Sequence, residues 1–169
     1  MMCWTSTLGK DVPMSKSLKR VKAALEAAGI ATDVMEMGEL TKTAQQAADA
    51  AGCHLDQIAK SVIFQGLDSG DAVLFLTAGG NTVDADKASR VAGEPLGKAD
   101  AALIRKQTGF AIGGVSPVGH LNPIRAFADP RLAEFDVIYA AAGTPRHIFP
   151  INPDELLRIS NAQQADFTS

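Results

Sequence analysis

Residues 60–79, KSVIFQGLDSGDAVLFLTAG, decide the fold predicted for this chain. They hold two apolar runs rich in β-branched residues, KSVIFQG and DAVLFLTAG, and the polar, glycine-containing stretch LDSGD joins them. This pattern is typical of a β-hairpin with a loop of moderate length. The expected fold therefore includes a β-sheet built on this hairpin.

Helical patterns precede the hairpin. The first helix is predicted from apolar residues at helical spacing, namely Leu18, Val21, Leu25 and Ala28. Ser15 stands in its N-cap position, and Gly29 follows as a stop signal. The stretch IATDVMEM then predicts a strand, and Thr43 is expected to cap a second helix that ends at Gly52.

Helices and strands are also interspersed after the hairpin. VDADKASRVAG and ADAALIRKQTG each predict a short helix, and FAIGG, IRAFAD and FDVIYAAAG each predict a strand. The pair Asn152-Pro153 opens a final helix, PDELLRIS. The predicted fold class is therefore α/β, a single compact domain with a mixed, mostly antiparallel or barrel-like sheet and flanking helices.

The length and composition fit one domain. The chain has 169 residues, of which 46% are hydrophobic and 21% charged, as in an ordinary globular protein. We expect residues 1–13 to be a disordered extension, residues 14–162 to form the domain, and residues 163–169 to be a frayed tail.

Charge and cysteine content limit the partners and the compartment. The net charge of −3 argues against a large nucleic-acid footprint, although it allows a brief contact with one end of an RNA. Cys3 and Cys53 are too few for a disulfide framework. No signal peptide is recognised, and no apolar run approaches the roughly 20 residues that span a bilayer. The expectation is a cytoplasmic protein that binds neither DNA nor a membrane.

Lys60 is the first candidate for chemistry. If IAKSVIF is a strand, Lys60 shares one face with Ile58, Val62 and Phe64, because side chains alternate along a strand. Such a lysine either reaches water at the strand end or projects into a cavity. The sequence leaves both interpretations open.

The second candidate is the loop within FAIGGVSPVGH, residues 110–120. Gly113 and Gly114 allow the backbone to approach a ligand closely, and free N–H groups in such a turn could hold a carbonyl oxygen or an oxyanion. Pro117 stiffens the turn and Gly119 adds another permissive position. A plain turn between strands is the alternative, although such a turn needs only one glycine.

A covalent nucleophile and a metal are not indicated by the sequence. The loop lacks the G-x-S-x-G nucleophile elbow, because Val118 stands where the second glycine is needed. A triad of Ser116, His120 and Asp129 is therefore not expected. Metal-ligand spacing is absent from the three histidines, His54, His120 and His147. Nucleotide-binding glycine motifs are absent too, so no cofactor is expected.

Three segments together carry a family resemblance. DQIAKSVIF, VLFLTAGGNTVDADKASRVAG and TGFAIGGVSPVGH resemble, in order and spacing, the YbaK family of prolyl-tRNA editing domains. The resemblance runs from about Ser15 through FDVIYAAAGTPRHIFPINPDELLRI, nearly the whole domain. It implies a hydrolase that deacylates tRNA(Pro) mischarged with a small amino acid such as alanine or cysteine. Family members are freestanding or inserted in prolyl-tRNA synthetase, which makes that enzyme a possible partner.

The resemblance also implies a set of site residues. It assigns catalysis to Lys60, Gly113 and Gly114. It assigns substrate binding to Asp84, Val115, Ser116, Pro117, Gly119 and Gly143. Thr77, at a strand end, and His120, after the loop, are added to the expected substrate-binding residues from their positions in the sequence. On this interpretation Lys60 binds the terminal ribose or phosphate region, and the loop backbone holds the aminoacyl group and helps to place a water molecule. His120 either contributes to the choice of substrate or faces water.

Two alternatives remain open at this point. One is a non-catalytic module on the same fold that binds a tRNA end or a synthetase surface. The other is a metal- or serine-dependent hydrolase of small esters, which the motif spacing disfavours. Contacts to tRNA phosphates are expected from basic residues that could equally be solvated surface charges, and these are Lys42, Lys87, Arg105 and Arg146.

Overall fold

The computed structural model describes residues 12–37 and 43–169. The helices in these ranges are α1 (Val12–Ala27), α2 (Ala44–Ala51), α3 (Ala85–Ala92), α4 (Ala101–Thr108) and α5 (Pro153–Ser160). The strands are β1 (Met35–Glu36), β2 (Ile58–Gly66), β3 (Ala72–Ala78), β4 (Leu96–Lys98), β5 (Arg125–Ala128), β6 (Ile138–Ala141), β7 (His147–Ile151) and β8 (Gln163–Gln164). Short 3-10 turns at Leu55–Gln57 and Pro130–Glu134 connect some of them.

The predicted hairpin forms the middle of the sheet. β2 and β3 pair antiparallel in unbroken register, from Ala59 opposite Ala78 to Gln65 opposite Ala72. The strands follow the order β1-β7-β6-β2-β3-β5-β8, and β4 also pairs with β2. Four of these pairings in the described chain are antiparallel and three are parallel. The sheet is thus mixed, and it is open, with β1 and β8 at its two ends.

The pairing of β2 is interrupted along one of its two edges. On the side away from β3, β6 pairs only with Ile58 and Ala59. On the same side, β4 pairs only with residues 64–66. Among the described residues, no strand therefore covers this edge of β2 between residues 60 and 63. We call this interval the sheet gap.

Both faces of the sheet are covered, because alternate residues of β3 point to opposite sides. Leu74 and Leu76 lie in the main core with apolar residues of α1, α4 and α5. Val73 and Phe75 lie on the other face, in a second cluster with residues of α3 and with Phe167. Phe75 packs edge-to-face against Phe167, with 4.9 Å between the ring centroids.

Local signals set the ends of the short helices, as predicted. Thr43 caps α2 in a complete capping box with Gln46, and Gly52 ends this helix in the left-handed conformation with φ 70°. Asp84, Asp100 and Asn152 cap α3, α4 and α5 through their side-chain oxygens. The strands IRAFAD and FDVIYAAAG are also confirmed, as β5 and β6.

Three predicted features are wrong. The first helix does not begin after Ser15, because α1 already begins at Val12, inside the expected extension, the rest of which lies outside the described residues. FAIGG is not a strand: the N–H of Gly114 donates to the carbonyl of Ala111, which makes a turn directly after the buried Phe110. The tail, residues 163–169, is not frayed, because β8 pairs with β5 and Phe167 is fully buried.

None of the described helices is long and apolar enough to cross a membrane.

Candidate functional site

A cavity of about 210 Å³ opens at the sheet gap. It is bounded by the start of α2, by β2, by the loop after α4 and by the facing strands β6 and β7. Its lining is mostly apolar and consists of Thr43, Ala44, Ala47, Ile58, Ala59, Lys60, Ser61, Gly113, Val115, Tyr139, Ala141 and Ile148. The missing strand in the sheet gap therefore creates a concave, apolar site with a few polar groups, as is usual for small-ligand sites.

Lys60 is the charged residue of this lining. Its side chain is half-buried, and its Nζ donates a hydrogen bond of 2.6 Å to the carbonyl oxygen of Asn81. Burial lowers the pKa of the Lys60 ammonium below its ordinary value, and the nearby carboxylates of Asp56 and Asp129 partly oppose this. Lys60 thus lines the cavity while its ammonium is bonded to the segment that follows β3.

A polar network fixes the carbonyl that holds Lys60. The buried carboxylate of Asp129 accepts hydrogen bonds from the backbone N–H of Ala78 at 3.1 Å and from the side-chain amide of Asn81 at 2.8 Å. Asp56 accepts from the N–H of Gly80 at 2.8 Å and from Arg131 Nε at 3.0 Å. The strand end after β3 is thus rigid, so the position of the lysine is well defined.

The glycine loop contributes two residues to the lining of the same cavity. Gly113 and Val115 line it, and the N–H of neither donates to any described residue. Gly113 has φ 93°, a conformation that favours glycine. Gly114 has a different role, because its N–H closes the turn to Ala111. Two N–H groups near a cavity wall are suited to hold a carbonyl oxygen.

Close packing holds the loop in place from behind. A Cβ on Gly114 would lie 2.8 Å from Thr144 Cα, so no side chain fits there. Arg20 of α1 donates to the carbonyls of Gly109 and Gly119, both at 2.8 Å, one at each end of the loop. Its guanidinium also lies 4.6 Å from the centroid of the Phe110 ring.

His120 supports the loop from within. Its Nε2 lies 2.6 Å from the carbonyl oxygen of Ser116, and since a carbonyl only accepts, this nitrogen carries the proton. Burial lowers the pKa of His120, while the bond to Ser116 raises it and the charge of Arg20 lowers it. The ring also contacts Phe110 edge-on, at 6.1 Å between centroids. His120 does not line the cavity.

The structure brings together only part of the predicted site. Of the residues predicted there, Lys60, Gly113 and Val115 line the cavity. Thr77 is fully buried and its hydroxyl donates to the carbonyl of Phe75. Asp84 caps α3. The others lie in or beside the loop without lining the cavity, and these are Gly114, Ser116, Pro117, Gly119, His120 and Gly143.

Ser116 is not a nucleophile presented to this cavity. Its side chain is fully buried, and its Oγ accepts a hydrogen bond from the N–H of Val118. Within the described residues, no group of three or more His, Cys, Asp or Glu side chains could hold a metal ion.

The basic residues that were predicted to contact tRNA phosphates lie in different surroundings. Lys42 lies outside the described residues. Lys87 Nζ donates to the carbonyl of Thr168 at 2.9 Å and contacts Asp166. Arg105 is exposed in the last turn of α4, and Arg146 is half-buried in the turn before β7.

Sequence reasoning missed Ser61, Tyr139 and Ile148 among the cavity residues. Tyr139 is the one tyrosine of the chain and lies opposite Ile58 in the sheet, so it shares the face of β2 that carries Lys60. Its strand was predicted, but its parallel pairing with β2 was not readable from the sequence. Ser61 looks like an ordinary polar residue of an alternating strand until the sheet gap is known.

The chain is similar to known proteins over most of its length. The model of the aminoacyl-tRNA editing domain family matches residues 38–159. The protein YwhH of Bacillus subtilis (strain 168), which is described as uncharacterized, is 31% identical over 145 residues, covering 85% of this chain and 91% of that protein.

Two solved structures share the fold closely. The crystal structure of a candidate trans-editing enzyme for prolyl tRNA synthetase is 45% identical, covers 90% of this chain and 97% of its own, and has a TM-score of 0.85. The hypothetical protein APE2540 is 25% identical, with coverages of 89% and 99% and a TM-score of 0.81.

Proposed function

The chain belongs to the aminoacyl-tRNA editing domain family, and on this premise we propose that it hydrolyses tRNA(Pro) charged with a small amino acid other than proline. The observation that carries the proposal is the cavity at the sheet gap, where Lys60 and two backbone N–H groups surround a mostly apolar space. The solved relative described as a candidate trans-editing enzyme for prolyl tRNA synthetase supports the choice of tRNA.

The proposed reaction needs neither a metal nor a covalent intermediate. A water molecule attacks the carbonyl carbon of the ester, the bond to the ribose oxygen breaks, and that oxygen takes up the proton that the water loses. The N–H groups of Gly113 and Val115 stabilise the charge that develops on the carbonyl oxygen. An aminoacyl ester is already activated, so positioning and such donors supply the necessary acceleration.

Lys60 orients the terminal nucleotide in this mechanism. Its ammonium is held at the cavity by Asn81 and has donors left for the ribose or phosphate oxygens of the acceptor end. A protein with a net charge of −3 is suited to such a short contact, because few phosphates need to be neutralised.

The shape of the cavity is proposed to exclude proline. One methylene in an apolar pocket changes binding by only about 1–3 kcal/mol, so weaker contact alone is a poor filter. Val115, Tyr139 and Ile148 give the cavity bulky walls against which a ring would clash. Small aliphatic side chains such as that of alanine avoid this clash.

A deacylation assay tests the proposal. The purified protein is incubated with tRNA(Pro) charged in turn with alanine, cysteine, serine and proline, and the remaining ester is measured over time. We expect turnover of at least one non-proline ester and none of the prolyl ester. Binding of charged tRNA without turnover would instead support the non-catalytic binding module, and preferred hydrolysis of the prolyl ester would contradict the proposed selectivity.

A further inference from the structure

Ser61 carries an unused hydroxyl at the cavity. Its Oγ is buried and has no hydrogen-bond partner, and among residues 12–37 and 43–169 it is the one side-chain polar atom of which this is true. Buried hydroxyls are nearly always hydrogen-bonded, because leaving one unpaired destabilises the folded protein. Ser61 lines the cavity through its other atoms, and rotation about its Cα–Cβ bond would bring this hydroxyl to a molecule bound there.

The backbone of Ser61 also points toward the sheet gap. Ser61 lies opposite Leu76 in the antiparallel pair of β2 and β3. The carbonyl of Leu76 accepts from the N–H of Asp129, which lies on the far side of β3. Ser61 and Leu76 therefore form a non-hydrogen-bonded pair. The N–H and C=O of Ser61 point away from β3.

The same geometry holds two pairs further along, beyond the pair of Lys60 and Thr77. The N–H of Ala78, opposite Ala59, also donates away from β2, to the carboxylate of Asp129. Hydrogen-bonded and non-hydrogen-bonded pairs therefore alternate without interruption along β2 from Ala59 to Ser61. Ser61 thus presents its N–H and its carbonyl to an edge that no described strand covers, and its hydroxyl lies beside them without a partner.

We propose that Ser61 binds the α-ammonium group of the aminoacyl ester, through its hydroxyl and carbonyl oxygens. This inference rests on the function proposed above. The Lys60 ammonium is a donor and cannot accept from an ammonium, and the hydroxyl of Tyr139 is a single acceptor oxygen, whereas Ser61 offers two. The hydroxyl of Thr43 already accepts from the N–H of Gln46. Ser61 supplies the acceptors that the ammonium needs.

Binding of two stable amides tests the inference without turnover. One is adenosine with an alanylamino group at the 3′ position, and the other carries a propionylamino group, which lacks the α-amino group. We expect the wild type to bind the alanyl compound at least about tenfold more tightly, as for a hydrogen bond to a charged group. Ser61→Ala removes the hydroxyl and keeps the carbonyl, so it should reduce this preference by at least about threefold.

Ser160→Ala is the matched control, because the hydroxyl of Ser160 donates to the carbonyl of Leu156 within α5 and does not line the cavity. It should keep the wild-type preference. Without ligand, the Tm of Ser61→Ala should equal or exceed that of the wild type, since only an unpaired hydroxyl is lost.

The outcomes separate this inference from the proposed function. Equal binding of both amides by the wild type, an unchanged preference in Ser61→Ala, or a lower Tm for the free variant would each overturn the role of Ser61. A wild type that shows the Ser61-dependent preference but hydrolyses no ester upholds the inference and contradicts the proposed deacylase activity.

Discussion

At the scale of single residues, Gly113 links backbone conformation to the cavity. Its φ of 93° is unfavourable for a residue with a Cβ, although the space around it is open, with Pro145 Cγ 4.0 Å from a built Cβ. Gly113→Ala should therefore lower the free energy of unfolding by about 1–2 kcal/mol. It should also abolish most deacylation, because relief of the strain moves the N–H groups at the cavity wall. Denaturant unfolding and the deacylation assay measure the two effects.

Gly70→Ala is the matched control for Gly113. Gly70 has φ 78° in the hairpin loop with open space around it, so the same substitution introduces similar strain far from the cavity. We expect a similar loss of stability and normal turnover. If both variants keep full activity, the conformation of Gly113 does not matter for the site.

The residues of the site differ in how far the sequence reveals them. Lys60 and Gly113 were predictable because a lysine on an apolar strand face and a run of glycines are unusual wherever they occur. Gly114 was assigned to catalysis, but its position is explained by its packing against Thr144, which lies 30 residues away in the chain. Ser61 was not predictable, because its role depends on which strand is absent beside it.

At the scale of elements, α1 braces the glycine loop through Arg20. This side chain donates to carbonyls at both ends of the loop and lies over Phe110. Arg20→Ala should lower the free energy of unfolding by about 1–3 kcal/mol, because two hydrogen bonds from a charged group are lost. Deacylation should also slow, since the loop loses its support. Denaturant unfolding and the initial rate of deacylation measure both.

Lys19→Ala is a suitable comparison, because Lys19 is the exposed neighbour of Arg20 on α1. It should leave stability and rate within experimental error. Equal unfolding free energies for Arg20→Ala and Lys19→Ala would show that α1 does not brace the loop.

Elements with local signals were predictable and elements without them were not. Thr43 and Gly52 mark the ends of α2 through caps that involve only neighbouring residues. The three-residue strand β4 has no such signal, and it exists because Phe64, more than 30 residues earlier, pairs with Lys98. The sheet gap follows from the same long-range pairing, so the cavity itself could not be read from the sequence.

At the scale of the whole molecule, the C-terminal residues complete the second core. Phe167 is fully buried against Phe75, and the N–H of Asp84 donates to its carbonyl at 2.7 Å. Phe167→Ala should lower the free energy of unfolding by about 3–5 kcal/mol, the usual cost of truncating a buried phenylalanine. Denaturant unfolding checks this value.

Asp166→Ala should have little effect, because Asp166 is exposed and its contact with Lys87 is a surface ion pair. A change of less than about 1 kcal/mol for Phe167→Ala would mean that the tail is dispensable, as the sequence suggested. That expectation arose because NAQQADFTS is polar apart from two alanines and one aromatic residue, and nothing local shows that this ring is buried.

The proposed site of ester hydrolysis is the cavity at the sheet gap. It is tested most directly by kcat/KM for alanyl-tRNA(Pro) with the wild type, Lys60→Ala and Lys106→Ala, a lysine of α4 that does not line the cavity. We predict a loss of at least about a hundredfold for Lys60→Ala, because a misplaced ester reacts that much more slowly, and no change for Lys106→Ala. Wild-type turnover by a folded Lys60→Ala protein would contradict the account.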